Sequence, residues 1–238
     1  MLRNIGILFL PALAVAVVAY LFGSVSFSII FAKKFGNNVD IRRVGSGNAG
    51  MTNVLRSIGV KAAVFTTIFD FAKCVVSVLI GRMVFQYVCA ANALPAYYIQ
   101  YGALLAGLAC VLGHIFPVYF GFRGGKGILS TSALMLMLDW RIFIVGISVF
   151  VIILAISHII SLSSILAAVS FPISTFLFSF YDYSTKSSAY GVLPVSYIWI
   201  TTFASLVFSV ILIWKHRANI ERLRNGTEKK ITVKHQAK

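Results

Sequence analysis

The chain has 238 residues, of which 59% are hydrophobic and 11% charged, whereas a water-soluble domain carries about 25% charged residues. Six Asp and Glu residues are too few to solvate a globule of this size, and the mean hydropathy of +0.92 excludes a soluble enzyme in favour of an all-α integral membrane protein. The net charge of +15 would suggest nucleic acid in a soluble chain, but here Lys and Arg fill the gaps between apolar runs, so they set orientation or meet anions and no nucleic-acid partner is expected.

Residues 4–32 carry no charge, enough for one crossing and too long for the core of a signal peptide. The next apolar run, about 60–84, is interrupted by Asp70 and Lys73. Residues 83–122 are uncharged, and Asn92 and Pro95 place a loop early, so the third crossing is expected near 97–119. A short run, 127–138, stops at Asp139, Trp140 and Arg141. Residues 142–181 are long enough for two crossings folded at Ser157 to Ser164, and a last crossing spans about 193–214.

About seven transmembrane helices result. The fourth covers roughly 18 Å of a hydrocarbon core of about 30 Å, so it is expected to be short or partly re-entrant. Counting it as a reversal places 33–61, 120–127, 157–164 and 215–238 on one side, with 16 of the 21 Lys and Arg residues. The positive-inside rule then puts the N-terminus outside and the C-terminus in the cytoplasm. Residues 1–238 read as a single membrane domain whose active-site face is built from those four cytoplasmic segments. Cys74, Cys89 and Cys110 lie scattered in apolar sequence and read as packing residues, neither a disulfide framework nor a metal site.

Three polar stretches stand out. The first, Asp40 to Arg56, spells G-x-G-x-x-G at Gly45, Gly47 and Gly50, but apolar helical segments flank it where a dinucleotide site needs a βαβ unit. Closely spaced glycines still let backbone amides approach an anion. Ser46, Asn48, Thr52 and Asn53 add side-chain donors, and Arg56 adds a fork suited to phosphate. The bland alternative is a glycine-rich turn.

The second stretch, Gly113 to Gly127, holds Gly124, Gly125, Lys126 and Gly127. It is not a Walker A loop, because Phe120 and Gly127 stand where glycine and Ser or Thr are required. What remains is a lysine in a glycine nest, a point charge for a phosphate, followed by a helix start whose dipole faces the same anion. His114 reads first as a hydrogen-bonded packing residue. The third stretch is the tail from Trp214, where a basic stop signal explains Lys and Arg but not His216 and Asn219, which share a helix face at i, i+3. Within the second crossing, Asp70 and Lys73 read as a structural ion pair. The inward loops hold few carboxylates, so metal-assisted phosphoryl transfer is disfavoured and no metal or cofactor is expected.

Together these strings resemble a known family. The run from Asp40 to Arg56, the run from Gly113 to Gly127 and the tail from His216 to Glu228 are similar to those of the acyl-phosphate:glycerol-3-phosphate acyltransferases (PlsY), with Asp70-Phe71-Ala72-Lys73 and Ser161 to Ser164 in the expected order. The resemblance runs from about Gly23 to Glu228. It departs at Ser26, at Met51 and at the Leu129-Ser130-Thr131 run.

The resemblance implies transfer of a fatty acyl group from acyl phosphate to the 1-hydroxyl of sn-glycerol 3-phosphate, giving lysophosphatidic acid and phosphate, the first step of phospholipid synthesis. It implies acyl phosphate and glycerol 3-phosphate as substrates, membrane lipids as surroundings, a soluble enzyme supplying the acyl phosphate, and the bacterial inner membrane as location. The implied catalytic set is Ser46, Asn48, Arg56, Lys126, His216 and Asn219. The substrate-binding set is Gly45, Gly47, Gly50, Thr52, Asn53, Gly124, Gly125, Gly127 and Ser161. A carrier for phosphorylated metabolites would share the basic loops, but the inverted repeats usual in carriers are not found. A membrane-surface binding module would explain the tail and leave the two glycine loops unexplained.

Overall fold

A computed structural model describes residues 2–231; Met1 and residues 232–238, including Lys234 and Lys238 of the basic tail, lie outside it. The described residues form ten α-helices and two short 3-10 turns, without strands. The helices are α1 (Leu2–Gly23), α2 (Phe27–Phe35), α3 (Met51–Ser57), α4 (Val60–Asn92), α5 (Tyr98–Ile115), α6 (Ile128–Leu138), α7 (Trp140–Ser157), α8 (Ile160–Thr185), α9 (Val195–Lys215) and α10 (Arg217–Arg224). Six segments are long and apolar enough to cross a membrane, namely Asn4–Phe35, Val60–Asn92, Tyr98–Phe120, Trp140–Ser157, Ile160–Thr185 and Val195–Lys215.

The short segment is helical between the bounds its neighbours set. Gly127, at φ 88°, starts α6, and Asp139 ends it while accepting from the Arg141 amide to cap α7. Its last carbonyls are satisfied from other helices, since Arg82 donates to Met137 and Gln100 to Leu138. α6 therefore runs from the loop end of the bundle to the opposite end in 11 residues.

Several boundaries differ from the sequence expectation. The first apolar run is two helices, broken at Ser24 to Ser26, where the Ser24 hydroxyl donates back to the Tyr20 carbonyl and the Ser26 hydroxyl bonds forward to that of Ser28. α4 continues to Asn92, eight residues past the expected end, because no breaker precedes Ala93, which adopts the left-handed conformation. The fold between α7 and α8 narrows to His158 and Ile159, so Ser161, Ser163 and Ser164 belong to α8.

Small residues set the helix spacing. A side chain at Gly81 would strike the Gly102 carbonyl across the α4–α5 contact, and one at Gly113 would strike the α1 backbone at Tyr20. Close backbone approach is the usual substitute for a hydrophobic drive between helices in lipid. The three cysteines are buried and unpaired, as packing residues should be. At the end away from the loops, Arg141 bridges Asp139 at 2.5 Å and Asp182 at 2.6 Å, tying α7 to α8. The opposite end gathers the segment before α4, the turn before α6, the α7–α8 turn and α10.

Candidate active site

The first loop is organised by one buried amide. Asn53 Nδ2 donates to the carbonyls of Ile41 and Val44 at 3.0 Å and of Asn48 at 3.1 Å, while Oδ1 accepts from the Ser46 amide at 2.9 Å. Asn53 is thus saturated, and the expectation that it offers donors to an anion is corrected: it shapes the loop. Gly45 and Gly47 sit at φ 60° and 70°, where a Cβ is disfavoured, and a Cβ on Gly45 would also meet Asn53 and Ser57. The amides of Ser46, Gly47 and Gly50 are bonded within the loop, so they do not form the expected nest. Their turns expose Ser46, Asn48, Thr52 and Arg56, whose side chains make no hydrogen bond among the described residues.

The second loop is tied to the first. Arg42 pairs with Asp40 at 2.8 Å and donates from Nη1 to the Phe120 carbonyl at 2.7 Å. The Arg42 side-chain bond holds Asp40 at a pKa of about 2 against the opposing effect of burial. Past Phe120 the chain turns back, and the amides of Gly124 and Gly125 bond to the carbonyls of Ile115 at 3.3 Å and His114 at 3.1 Å. These two amides are therefore also unavailable to an anion, contrary to the sequence expectation. A methyl group on Gly125 would collide with the His114 ring and the Ala49 carbonyl, so the two loops and α5 meet there. Ile128 and Leu129, in the first turn of α6, border the same space.

The tail closes the third side. Lys126 Nζ donates to Asn219 Oδ1, and Asn219 Nδ2 donates to Glu228 at 2.7 Å. Glu228 also accepts from Ser161 at 2.7 Å and from Arg222 at 2.6 Å. Ser161 therefore spends its single proton on Glu228, which corrects its reading as a phosphate donor. Burial pushes Lys126 down to about 8, with Glu228 opposing and Arg222 and Lys215 adding to the fall. His216 interrupts α9 and α10 and is 3% exposed. Its Nδ1 lies 2.8 Å from the Leu212 carbonyl, which can only accept, so Nδ1 carries the proton and Nε2 presents a lone pair. Burial, then the Lys126 charge, push its pKa down to about 4.

These groups surround one cavity of about 880 Å³. Of the sequence-selected residues, Ser46, Asn48, Arg56, Lys126, His216, Asn219, Gly45, Gly47, Gly50, Thr52, Asn53, Gly124, Gly127 and Ser161 line it, and Gly125 lies behind the wall against His114. Ile128, Leu129, Phe150 and Ile160 supply an apolar side. Among the described residues no group of three or more His, Cys, Asp or Glu is placed to hold a metal ion. A cationic floor beside an apolar wall can hold a phosphorylated head group and a hydrocarbon tail together.

The family model described as glycerol-3-phosphate acyltransferase matches residues 13–226. The chain belongs to the glycerol-3-phosphate acyltransferase family. It is 38% identical to the glycerol-3-phosphate acyltransferase of Coxiella burnetii (strain CbuG_Q212), covering 91% of this chain and 96% of that one. With the enzyme of that name from Alkaliphilus metalliredigens it shares 41% identity over 92% and 95% of the two chains. Crystal structures of PlsY (YgiH), an integral membrane glycerol 3-phosphate acyltransferase, superpose with TM-scores of 0.72 for the glycerol 3-phosphate form and 0.70 for the lysophosphatidic acid form. These share 33% and 31% identity and cover 93% of this chain, and 96% and 95% of theirs.

As a PlsY-family protein, this multi-pass membrane chain belongs with the acyltransferases of lipid biosynthesis. Three residues of this family member that frame the cavity were not selected from sequence. In the sequence Glu228 stands out as one of the few carboxylates of the inward loops and as the end of the tail string, Arg42 as one of two adjacent arginines, and Arg222 as part of a basic tail. Each acts through a partner distant in sequence or across a turn.

Proposed function

We propose that this protein transfers a fatty acyl chain from acyl phosphate to the 1-hydroxyl of sn-glycerol 3-phosphate, yielding lysophosphatidic acid and phosphate. The observation that carries the reading is the cavity in which Arg56, Lys126, Ser46, Asn48 and His216 converge beside an apolar wall. Arg56 and Lys126 hold the phosphates, and their charges align the hydroxyl with the acyl carbonyl. The hydroxyl oxygen attacks the carbonyl carbon, and Ser46 and Asn48 donate to the oxyanion that forms. The bond from that carbon to the bridging phosphate oxygen then breaks, and phosphate leaves. The hydroxyl proton passes to His216 Nε2 or directly to the departing phosphate, which balances the step. Asn219 positions Lys126, and Gly45, Gly47, Gly50, Thr52, Gly124 and Gly127 shape the cradle, with Asn53 and Ser161 lining it through bonds to the protein and Gly125 behind it.

The same reading places seven crossings in the bacterial inner membrane, with α6 as the short fourth, the N-terminus outside and the cavity at the cytoplasmic face. There a soluble enzyme would deliver acyl phosphate. The basic residues at the cavity end support that orientation. The test uses detergent-purified protein with labelled glycerol 3-phosphate and either acyl phosphate or acyl-CoA, following labelled lysophosphatidic acid. Product from acyl phosphate alone, abolished by Lys126→Ala, is the expected result. Saturable uptake or binding of glycerol 3-phosphate with no product from any donor would overturn the reading in favour of a carrier.

A further inference from the structure

Beneath the glycine loop lies a buried cluster that the mechanism above does not use. Asp70, Lys73 and His114 are 0%, 5% and 5% exposed, and Asp70 and His114 reach the cavity floor. Lys73 Nζ lies 2.8 Å from the Val25 carbonyl, 2.8 Å from Asp70 Oδ1 and 3.1 Å from His114 Nδ1. An ammonium group only donates, so His114 Nδ1 must be the acceptor. The distance of 3.6 Å from Nδ1 to Asp70 is beyond a hydrogen bond and offers no competing arrangement. A neutral imidazole that accepts at Nδ1 carries its proton on Nε2. That edge of the ring faces Gly125 in the glycine loop.

The Nε2–H finds no acceptor among the described residues. His114 lines the cavity and its Nε2 is not among the sealed side-chain atoms, so the donor is open to whatever occupies that space. We propose that His114 donates Nε2–H to a phosphate oxygen of a substrate held against the Gly124–Gly127 loop, with Lys73 and Asp70 as positioning residues that fix its tautomer. His216 has the opposite assignment, with its proton on Nδ1 and a lone pair at Nε2. The two histidines thus divide the work: His114 gives a proton bond to an anion, and His216 offers a lone pair to a hydroxyl. Lys73 spans the α1–α2 break, α4 and α5, so it also sets the height of the ring beneath the loop. This inference rests on the acyltransferase reading for the identity of the phosphate but not for its presence.

The test has two arms. In the first, protein labelled with ¹⁵N at its four histidines is titrated with inorganic phosphate in detergent, with signals assigned by single His→Gln variants. The expected result is a neutral His114 protonated on Nε2 whose Nε2 signal moves on saturation. A proton on Nδ1, or an Nε2 signal that stays still while phosphate binds, overturns the proposal. In the second, His114→Phe keeps a ring and removes the donor, and it should raise KM for one phosphorylated substrate about 10- to 100-fold. His114→Gln restores an N–H and should lose only about threefold. The substrate whose KM rises tells whether the oxygen belongs to acyl phosphate or to glycerol 3-phosphate. Equal losses in both variants, or a fall in kcat with both KM values unchanged, would make His114 a packing residue. If His114→Phe fails to fold, the phosphate titration decides alone. Wild-type protein that makes no lysophosphatidic acid yet shows the phosphate-dependent shift would sink the acyltransferase reading and leave this one standing.

Discussion

Arg42 and Phe120 join the two glycine loops: the guanidinium donates to the Phe120 carbonyl at 2.7 Å while its other edge rests on Asp40 at 2.8 Å. A planar fork can serve both partners, and an ammonium group cannot hold the same two directions. Arg42→Lys should therefore lower kcat/KM roughly tenfold, the scale of one hydrogen bond to a charged donor. Steady-state kinetics beside a thermal melt would check it. An unchanged kcat/KM would mean that the loops keep their separation without this bond.

Glu228 gathers Ser161, Asn219 and Arg222 on one carboxylate, and Asn219 in turn holds Lys126. Glu228→Ala should release all three and shift Lys126, and a misplacement of about 1 Å costs on the order of a hundredfold in rate. Glu228→Gln keeps an oxygen acceptor and should lose less. Burial raises the Glu228 pKa, and the Ser161, Asn219 and Arg222 donors outweigh it to leave it below its ordinary value. Its contribution to stability is thus present above the unfolded-state value and fades as pH falls below it. A melt series in acid should show wild type converging on Glu228→Ala. Parallel curves would refute this assignment.

The helical frame was legible because apolar length is a one-dimensional property. Gly127 and Asp139 bound the short α6 in sequence as they do in space. The loops were legible in composition but not in detail. Asn48 and Asn53 are the same residue type in one loop, yet Asn53 is saturated by three carbonyls and an amide while Asn48 faces the cavity. Which asparagine turns inward depends on the positive φ angles at Gly45 and Gly47, which spacing does not state. Glu228 reaches Ser161 across 67 positions, so its role needed the tail to fold back over the α7–α8 turn. The Ile231 amide, bonded to the His158 carbonyl at 2.8 Å, fixes that return.

His216 is poised to accept a proton because Nδ1 is committed to Leu212, leaving Nε2 free. At a pKa of about 4 it is neutral at pH 7, and a bound phosphate dianion would raise its basicity. His216→Gln keeps a side chain of similar reach without the base. If His216 takes the hydroxyl proton, kcat should fall by about 10²–10⁴ with KM little changed. A loss of only about tenfold would assign the proton to the departing phosphate and leave His216 an orienting role.

Lys126 gives the most direct pH signature. Burial holds its pKa at about 8, so in the free protein it is charged below that value and loses its charge above it. Its attraction for phosphate should therefore fade as pH rises through about 8. Because kcat/KM reports ionisations of the free enzyme, its profile should bend downward there, and kcat, read with phosphate bound beside the lysine, should bend at higher pH. Lys126→Arg keeps the charge at every accessible pH, since guanidinium does not titrate in that range. The variant should lose activity through altered geometry with Asn219 yet show a flat alkaline profile. A bend near pH 8 that survives in Lys126→Arg would assign the ionisation to another group and remove Lys126 as its source.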